Sequence, residues 1–185
     1  MADIELVTDR LILRRERPGD RDEWRSHINT PEVTAHFGGP ASHEAIEASF
    51  DRMAEAGELP FLLVERRAHR MLIGKCGLSR IATPSAPSAI TGEVQMGWTI
   101  RADSWGQGYA KEAAETIMAW AFDNLDCDRL FAQTSERNRR SWGLMQRLGL
   151  TRLPDLDYPD PDYPSEENPT IVFAISRHSW SARGG

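Results

Sequence analysis

Two cysteines, Cys76 and Cys127, are too few for a disulfide framework in a chain of 185 residues. Thiol usage this sparse reads as that of a reduced, cytoplasmic protein. No run approaches the roughly 18–20 apolar residues that cross a bilayer, so no membrane partner is expected. The opening "MADIELVTDR" carries acids and lacks an apolar centre, so it does not read as a secretory signal. A basic excess is missing too. The net charge is −6, which argues against a global nucleic-acid footprint, and no direct nucleic-acid partner is expected. No H-E-x-x-H motif or Cys/His cluster occurs among the scattered His27, His36, His43, His69 and His178, so no metal is expected. No internal repeat or low-complexity linker divides the chain. Residues 1–185 read as a single domain, long enough to bury a real core.

What is present is a mixture of two hydrophobic periods. "LILRRER" (11–17) is strand-like, and a helix follows the Pro18–Gly19 turn with Asp20 as its expected N-cap. In 43–57, Ile46, Phe50, Met53 and Ala54 fall at helical spacing, with Gly57 suited to the C-terminal cap. Residues 61–67 and 71–79 predict a hairpin, and 82–92 a loop. A strand over 93–100 leads into a glycine turn. After it, Ala110, Ala113, Ala114, Ile117, Met118, Ala121 and Phe122 form one apolar stripe, the clearest helix in the chain. A strand (129–135), a helix (138–150, closed by Gly149), a proline-rich acidic loop and a last strand (170–176) complete the reading. Hairpins first and β-α-β-α-β later argue for an α/β domain around a mixed sheet.

The stretch "SWGQGYAKEA" (104–113) carries the chemistry. A strand, a turn with Gly106 and Gly108, and a helix start together make an anion site. The first N–H groups of the helix lack partners, the macrodipole adds partial positive charge, and glycine lets a phosphate approach the backbone. Two phosphate motifs fail. A P-loop needs Gly-Lys-Ser/Thr, but Tyr109 and Ala110 follow Gly108; the dinucleotide fingerprint needs glycine where Lys111 stands. A plain turn before a helix is the bland alternative. Charge is segregated downstream. Arg129, Arg137, Arg139, Arg140, Arg147 and Arg152 face one acid, Glu136, in 129–152; Asp155, Asp157, Asp160, Asp162, Glu166 and Glu167 crowd 153–168 without a base. Such stretches suit an anionic cofactor and a cationic substrate, or are solvated surface.

The glycine stretch resembles the acetyl-coenzyme A loop of the GNAT N-acetyltransferase superfamily, Q/R-x-x-G-x-G/A. Trp105-Gly106-Gln107-Gly108-Tyr109-Ala110 matches it, except that Trp105 replaces Gln/Arg. "TDRLILRRERPGDRDEW", "NTPEVTAHFGGP" and "ERNRRSWGLMQRLGL" are similar, in order, to segments of the branch that includes the ribosomal-protein N-terminal acetyltransferases. The resemblance covers about residues 8–177 and implies a GNAT-like fold: a mixed, mostly antiparallel central sheet with a V-shaped splay, flanked by helices. It implies acetyl-CoA as cosubstrate. The pantetheine arm would pair with Trp98, Thr99 and Ile100, and the pyrophosphate would lie on the N–H groups of Gly106, Gln107, Gly108, Tyr109 and Ala110, with Lys111 as a further contact or a solvated surface lysine.

The implied reaction is direct attack by an amine in a ternary complex, which needs a neutral amine, a polarised thioester and a proton for the departing thiolate. Glu93 opens the strand beside the cleft, where relatives place a base, and is otherwise an ordinary strand-end carboxylate. Asn138 and Ser141 share one helix face. In the resembled branch they lie near the cofactor sulfur, with the Ser141 hydroxyl able to donate to the thiolate; Asn138 is equally placed to cap the helix. His36 is a minor alternative base. Cys76 and Cys127 could carry an acetyl-enzyme but sit in no nucleophile motif. Trp98, Trp105 and Trp142 flank the motifs as cleft walls or core. The acidic loop points to a primary-amine acceptor: a protein N-terminus or a small cationic amine. Exposed sheet edges in this fold can pair, which would give a homodimer. The competing reading is a noncatalytic acyl-CoA-binding or regulatory module on the same fold.

Overall fold

The computed structural model describes residues 4–55 and 57–184. Residues 1–3 of the opening, residue 56 of the expected second helix and residue 185 lie outside the described residues. The elements run β1 (Leu6–Val7), β2 (Leu11–Arg14), α1 (Asp20–His27), α2 (His43–Glu55), β3 (Phe61–Arg66), β4 (Met71–Arg80), β5 (Val94–Ile100), α3 (Tyr109–Asn124), β6 (Arg129–Ser135), α4 (Arg139–Arg147), β7 (Thr151–Arg152), β8 (Thr170–Ser176) and α5 (Arg177–Ser181). Eight strands form one sheet in the order β1-β2-β3-β4-β5-β6-β8-β7. Every neighbouring pair is antiparallel except β5–β6.

That exception makes the site. β4 and β5 pair continuously from Gly74↔Ile100 to Arg80↔Val94, and β6 and β8 from Arg129↔Ser176 to Ser135↔Thr170. Between β5 and β6 a single parallel rung forms, Gln95↔Phe131. Beyond it the strands diverge, and residues 96–100 of β5 present an unpaired edge. Side chains pin the vertex: Gln133 Nε2 donates to Gln95 Oε1 at 2.7 Å, and the Tyr158 hydroxyl donates to Gln133 Oε1 at 2.7 Å.

The two faces of the sheet carry different cores. On one, the α3 stripe of Ala113, Ala114, Ile117, Met118 and Ala121 is fully buried against Leu13, Leu62, Val64, Cys76 and Met96, with Leu144 and Met145 of α4 beside it. Small alanines let α3 lie close to the strands. On the other, Trp24 of α1, Ile28 at its C-terminal cap, and Ile46 and Phe50 of α2 cover Leu63 and Leu72. Strand alternation sets this division.

Asp20 is not the N-cap of α1. Gly19 takes that place with φ 95°, and no side chain caps the helix. Asp20 instead meets the buried Arg14 guanidinium at 2.7 Å, and Glu65 meets the same guanidinium at 2.6 Å. A buried arginine is costly unless its donors are matched by charge, so Asp20 is drawn from the helix end into the core. The first strand also ends earlier than its apolar run suggests, at Arg14 rather than residue 17. β1, β7 and α5 were not expected; each is too short to show a period.

Candidate active site

The diverging strands open into one cleft of about 1560 Å³. β5 forms one wall from Gln95 to Ile100. Gln133 to Ser135 and the start of α4 form the other, and the glycine turn closes one end. Gly106 and Gly108 adopt left-handed angles, φ 72° and 82°, which a side chain would strain. The first α3 bond from outside the helix runs from the Glu112 N–H to the Gly108 carbonyl at 3.1 Å. The N–H groups ahead of it have no helical acceptor. The turn is held from both sides. Trp105 Nε1 donates to the Ile100 carbonyl at 2.7 Å, tying it to the end of β5. The Arg10 guanidinium donates to the Gln107 carbonyl at 2.9 Å, pairs with Glu112 and lies 4.6 Å from the Tyr109 ring centre. Sequence reasoning missed Arg10, because nothing local marks a residue 97 positions away from its partner.

Cations gather opposite. Arg137, Arg139, Arg140 and Arg147 line the cleft, and among the described residues none of them is in an ion pair. Arg140 lies 4.0 Å over the Trp105 ring, so the residue standing where the family motif has Gln/Arg carries an arginine on its face. Arg152 is different: it pairs with Glu136 at 3.2 Å and Asp157 at 2.6 Å and belongs to the scaffold. Arg129 is exposed and does not line the cleft. Lys111 lines the cleft while pairing with Glu115 at 2.6 Å.

Most of the sequence-predicted residues converge. Trp98, Thr99, Ile100, Trp105, Gly106, Gly108, Tyr109, Ala110, Lys111, Asn138 and Ser141 all line this cleft. Gln107 does not; its side chain turns back to the Asp103 carbonyl at 2.9 Å. Asn138 Oδ1 accepts from the Ser141 N–H at 3.2 Å, the capping bond of α4. The Ser141 hydroxyl has no partner among the described residues and is left to the cleft. The structure does not bring Glu93 to the site. It is exposed, precedes β5, and lies in a turn where the Ile81 N–H donates to its carbonyl at 2.9 Å. This is the closed side of the Gln95↔Phe131 rung, away from the opening.

The carboxylates in the cleft come from the acidic loop. Asp160 and Glu167 are buried and line it, whereas Asp155, Asp162 and Glu166 are exposed. Glu167 meets His36 Nδ1 at 2.9 Å. Burial pushes the Glu167 carboxyl upward, but hydrogen bonds from Ser135 and His36 outweigh it and hold it below the ordinary carboxylate value. The His36 pair, the tilted contact of Phe37 with Tyr163 at 6.4 Å and the packing of Gly38 near Pro164 clasp the 35–39 segment to the loop. Burial and Asp160 raise the Tyr158 phenol to about 12, so it stays a donor at the vertex. Cys76 is fully buried and its thiol is pushed up to about 12, and burial raises Cys127 as well; neither lines the cleft.

One further cleft residue escaped the sequence reading. Lys75, on β4, is flanked by buried Gly74 and Cys76 and lowered to about 8 by burial, with Arg52 adding repulsion. A lysine inside the apolar run "MLIGKCGLS" was the available signal.

The sheet is mixed and splays at one parallel rung, and a glycine turn lies at its open end. Residues 10–151 match the model described as "Acetyltransferase (GNAT) domain", and the chain belongs to that family of acetyltransferase enzymes. It is similar to the uncharacterized N-acetyltransferase p20 of Bacillus licheniformis, 24% identical over 153 residues covering 80% of this chain and 82% of that one. It is also similar to the FsC-acetyl coenzyme A-N(2)-transacetylase of Aspergillus fumigatus, 29% identical over 111 residues covering 58% and 47%. Among solved structures, the acetyltransferase from Agrobacterium tumefaciens superposes with a TM-score of 0.77 at 25% identity, covering 96% of both chains. No helix among the described residues is long and apolar enough to cross a membrane.

Proposed function

We propose that this protein transfers an acetyl group from acetyl-CoA to a primary amine by direct attack within a ternary complex. The observation that carries the reading is the continuity of one open strand edge, residues 96–100, with a glycine turn whose N–H groups lack acceptors. Pantetheine amides would pair along Trp98, Thr99 and Ile100 as an added strand. The pyrophosphate would rest on the N–H groups of residues 106–110, and the unpaired arginines of α4 would take the remaining phosphate charge.

The amine nitrogen attacks the thioester carbon, the N–C bond forms, and the C–S bond breaks. Glu93 is exposed and does not line the cleft, so this reading gives the base's part to another residue. His36 fits better as the base: its Nδ1 faces Glu167, and its other ring nitrogen has no partner among the described residues. Glu167 and Asp160 attract the ammonium form before it is deprotonated. The buried, weakly acidic thiols favour direct transfer over an acetyl-cysteine. The resemblance to the ribosomal-protein branch and the acidic lining both support an amine acceptor in a cytoplasmic, single-domain enzyme.

Calorimetric titration with acetyl-CoA, followed by thiol release over amines and N-terminal peptides, tests this. Tight binding with amine-dependent thiol release is expected. Binding without turnover of any amine would favour a noncatalytic acyl-CoA module, and absence of binding would reduce the glycine turn to a mere corner.

A further inference from the structure

Lys75 is a cation without an anion. It points from β4 on the face covered by α1 and α2: its register partner is Thr99 on β5, whereas the alternate residues Cys76, Met96 and Trp98 face α3. Its ammonium lies 4.9 Å from the Trp24 ring centre and 5.5 Å from that of Phe61, and donates to Ser49 Oγ at 3.2 Å. An ammonium has three donors, and this single bond is its only hydrogen bond among the described residues. No carboxylate lies within ion-pair distance of it among the described residues. The charge that acts on it is Arg52, of the same sign. Aromatic faces compensate a desolvated cation only in part. The strongest remaining compensation is a carboxylate, and the cleft is open to supply one.

The cleft therefore has two poles on its acceptor side. Glu167 and Asp160, carried by the acidic loop, form the negative one; Lys75, under α1 and α2, forms the positive one, away from the arginines of α4. We propose that the acceptor is a small zwitterion, an amine that also carries a carboxylate, with Lys75 binding the carboxylate while the amine meets His36 and Glu167. This deepens the acetyl-transfer reading and rests on it. Lys75 is thus a specificity-determining residue rather than a catalytic one, since it touches the far end of the acceptor.

The test uses matched acceptors that differ only in the carboxylate: free amino acids, their amides and the corresponding decarboxylated amines. Thiol release from acetyl-CoA by the full chain should favour the amino acid at least 10-fold in kcat/KM. Lys75→Met should abolish that preference, raising KM for the amino acid at least 10-fold more than KM for the decarboxylated amine. The variant should melt no lower than the parent at pH 7, because it removes a desolvated charge; a purely structural lysine would give a lower Tm. A second arm needs no turnover. N-acetyl amino acids, titrated in the presence of coenzyme A, should bind more tightly than their amides in the parent but not in Lys75→Met. Equal use of amine and amino acid, better use of peptides whose N-terminal residues carry no carboxylate, or a preference that survives Lys75→Met would overturn the proposal. Failure of acetyl-CoA to bind would instead sink the acetyl-transfer reading itself.

Discussion

In the proposed reaction, Ser141 is where a single side chain bears most directly on the chemistry. Its backbone N–H is engaged by Asn138 Oδ1 and its hydroxyl is not, so backbone and side chain have separable roles. Ser141→Ala leaves the capping bond in place. It should lower kcat about 10²-fold, the usual scale for one general acid, with the calorimetric Kd for acetyl-CoA changed less than twofold. A fall in affinity instead of kcat would reassign Ser141 to cofactor binding. Asn138 and Ser141 were legible in the sequence because both belong to a helix start, and a cap at i, i+3 is a local feature. Glu93 and Lys75 show the limit of such reading. The two lie one and five residues from strand ends on neighbouring strands, and sequence gives no sign of which is at the closed side of the sheet and which is in the cleft. That depends on where β5 and β6 part, which is set by the Gln95, Gln133 and Tyr158 contacts between distant segments.

Two elements that look unrelated in sequence, the 35–37 turn and the acidic loop, are joined by His36 and Glu167. The six acids of the loop read as one block of charge, yet they divide by burial. Asp157 pairs with Arg152 and accepts from the Val172 N–H at 3.0 Å, Asp160 and Glu167 enter the cleft, and the rest stay in solvent. Composition could give the sign of the loop but not this division, because it follows from the turns that five prolines impose. The clasp has a defined pH signature. The Glu167 carboxyl is held below its ordinary value in the folded protein, so its stabilising part is complete above the ordinary carboxylate pKa and is lost as pH falls through the lowered value. Glu167→Gln should cost about 1–3 kcal/mol near pH 7, the scale of hydrogen bonds to a charged group. That difference from the parent should shrink as pH drops below about 4 in urea melts. A difference independent of pH would mean that packing of the loop, not the charged pair, holds the two segments together.

Across the whole molecule, the sheet is two halves joined at one rung. β1 to β5 form one hydrogen-bonded unit and β6 to β8 another, with only Gln95↔Phe131 pairing between them among the described residues. α3 packs on β2, β4 and β5 and meets α4, and its alanine stripe, the strongest periodic signal in the sequence, lies in the core that also holds Leu130 and Ala132 of β6. The gap itself had no local signature; only the family resemblance anticipated it. A ligand that fills the gap with strand-like hydrogen bonds would join the halves and so stabilise the native state as a whole. At 100 times its Kd, acetyl-CoA should add about 2.7 kcal/mol. In a domain of this size that is a rise in Tm of about 5–10 °C. The rise should be global, appearing at the same temperature whether followed by tryptophan fluorescence or by far-ultraviolet circular dichroism. Gly108→Val, which forces a branched side chain into a left-handed backbone at the anion turn, should remove most of the rise while leaving the unliganded fold intact by circular dichroism. If free pantetheine raised Tm as much as acetyl-CoA at equal concentration, and Gly108→Val retained the full effect, the strand edge alone would account for the affinity and the turn would carry no phosphate.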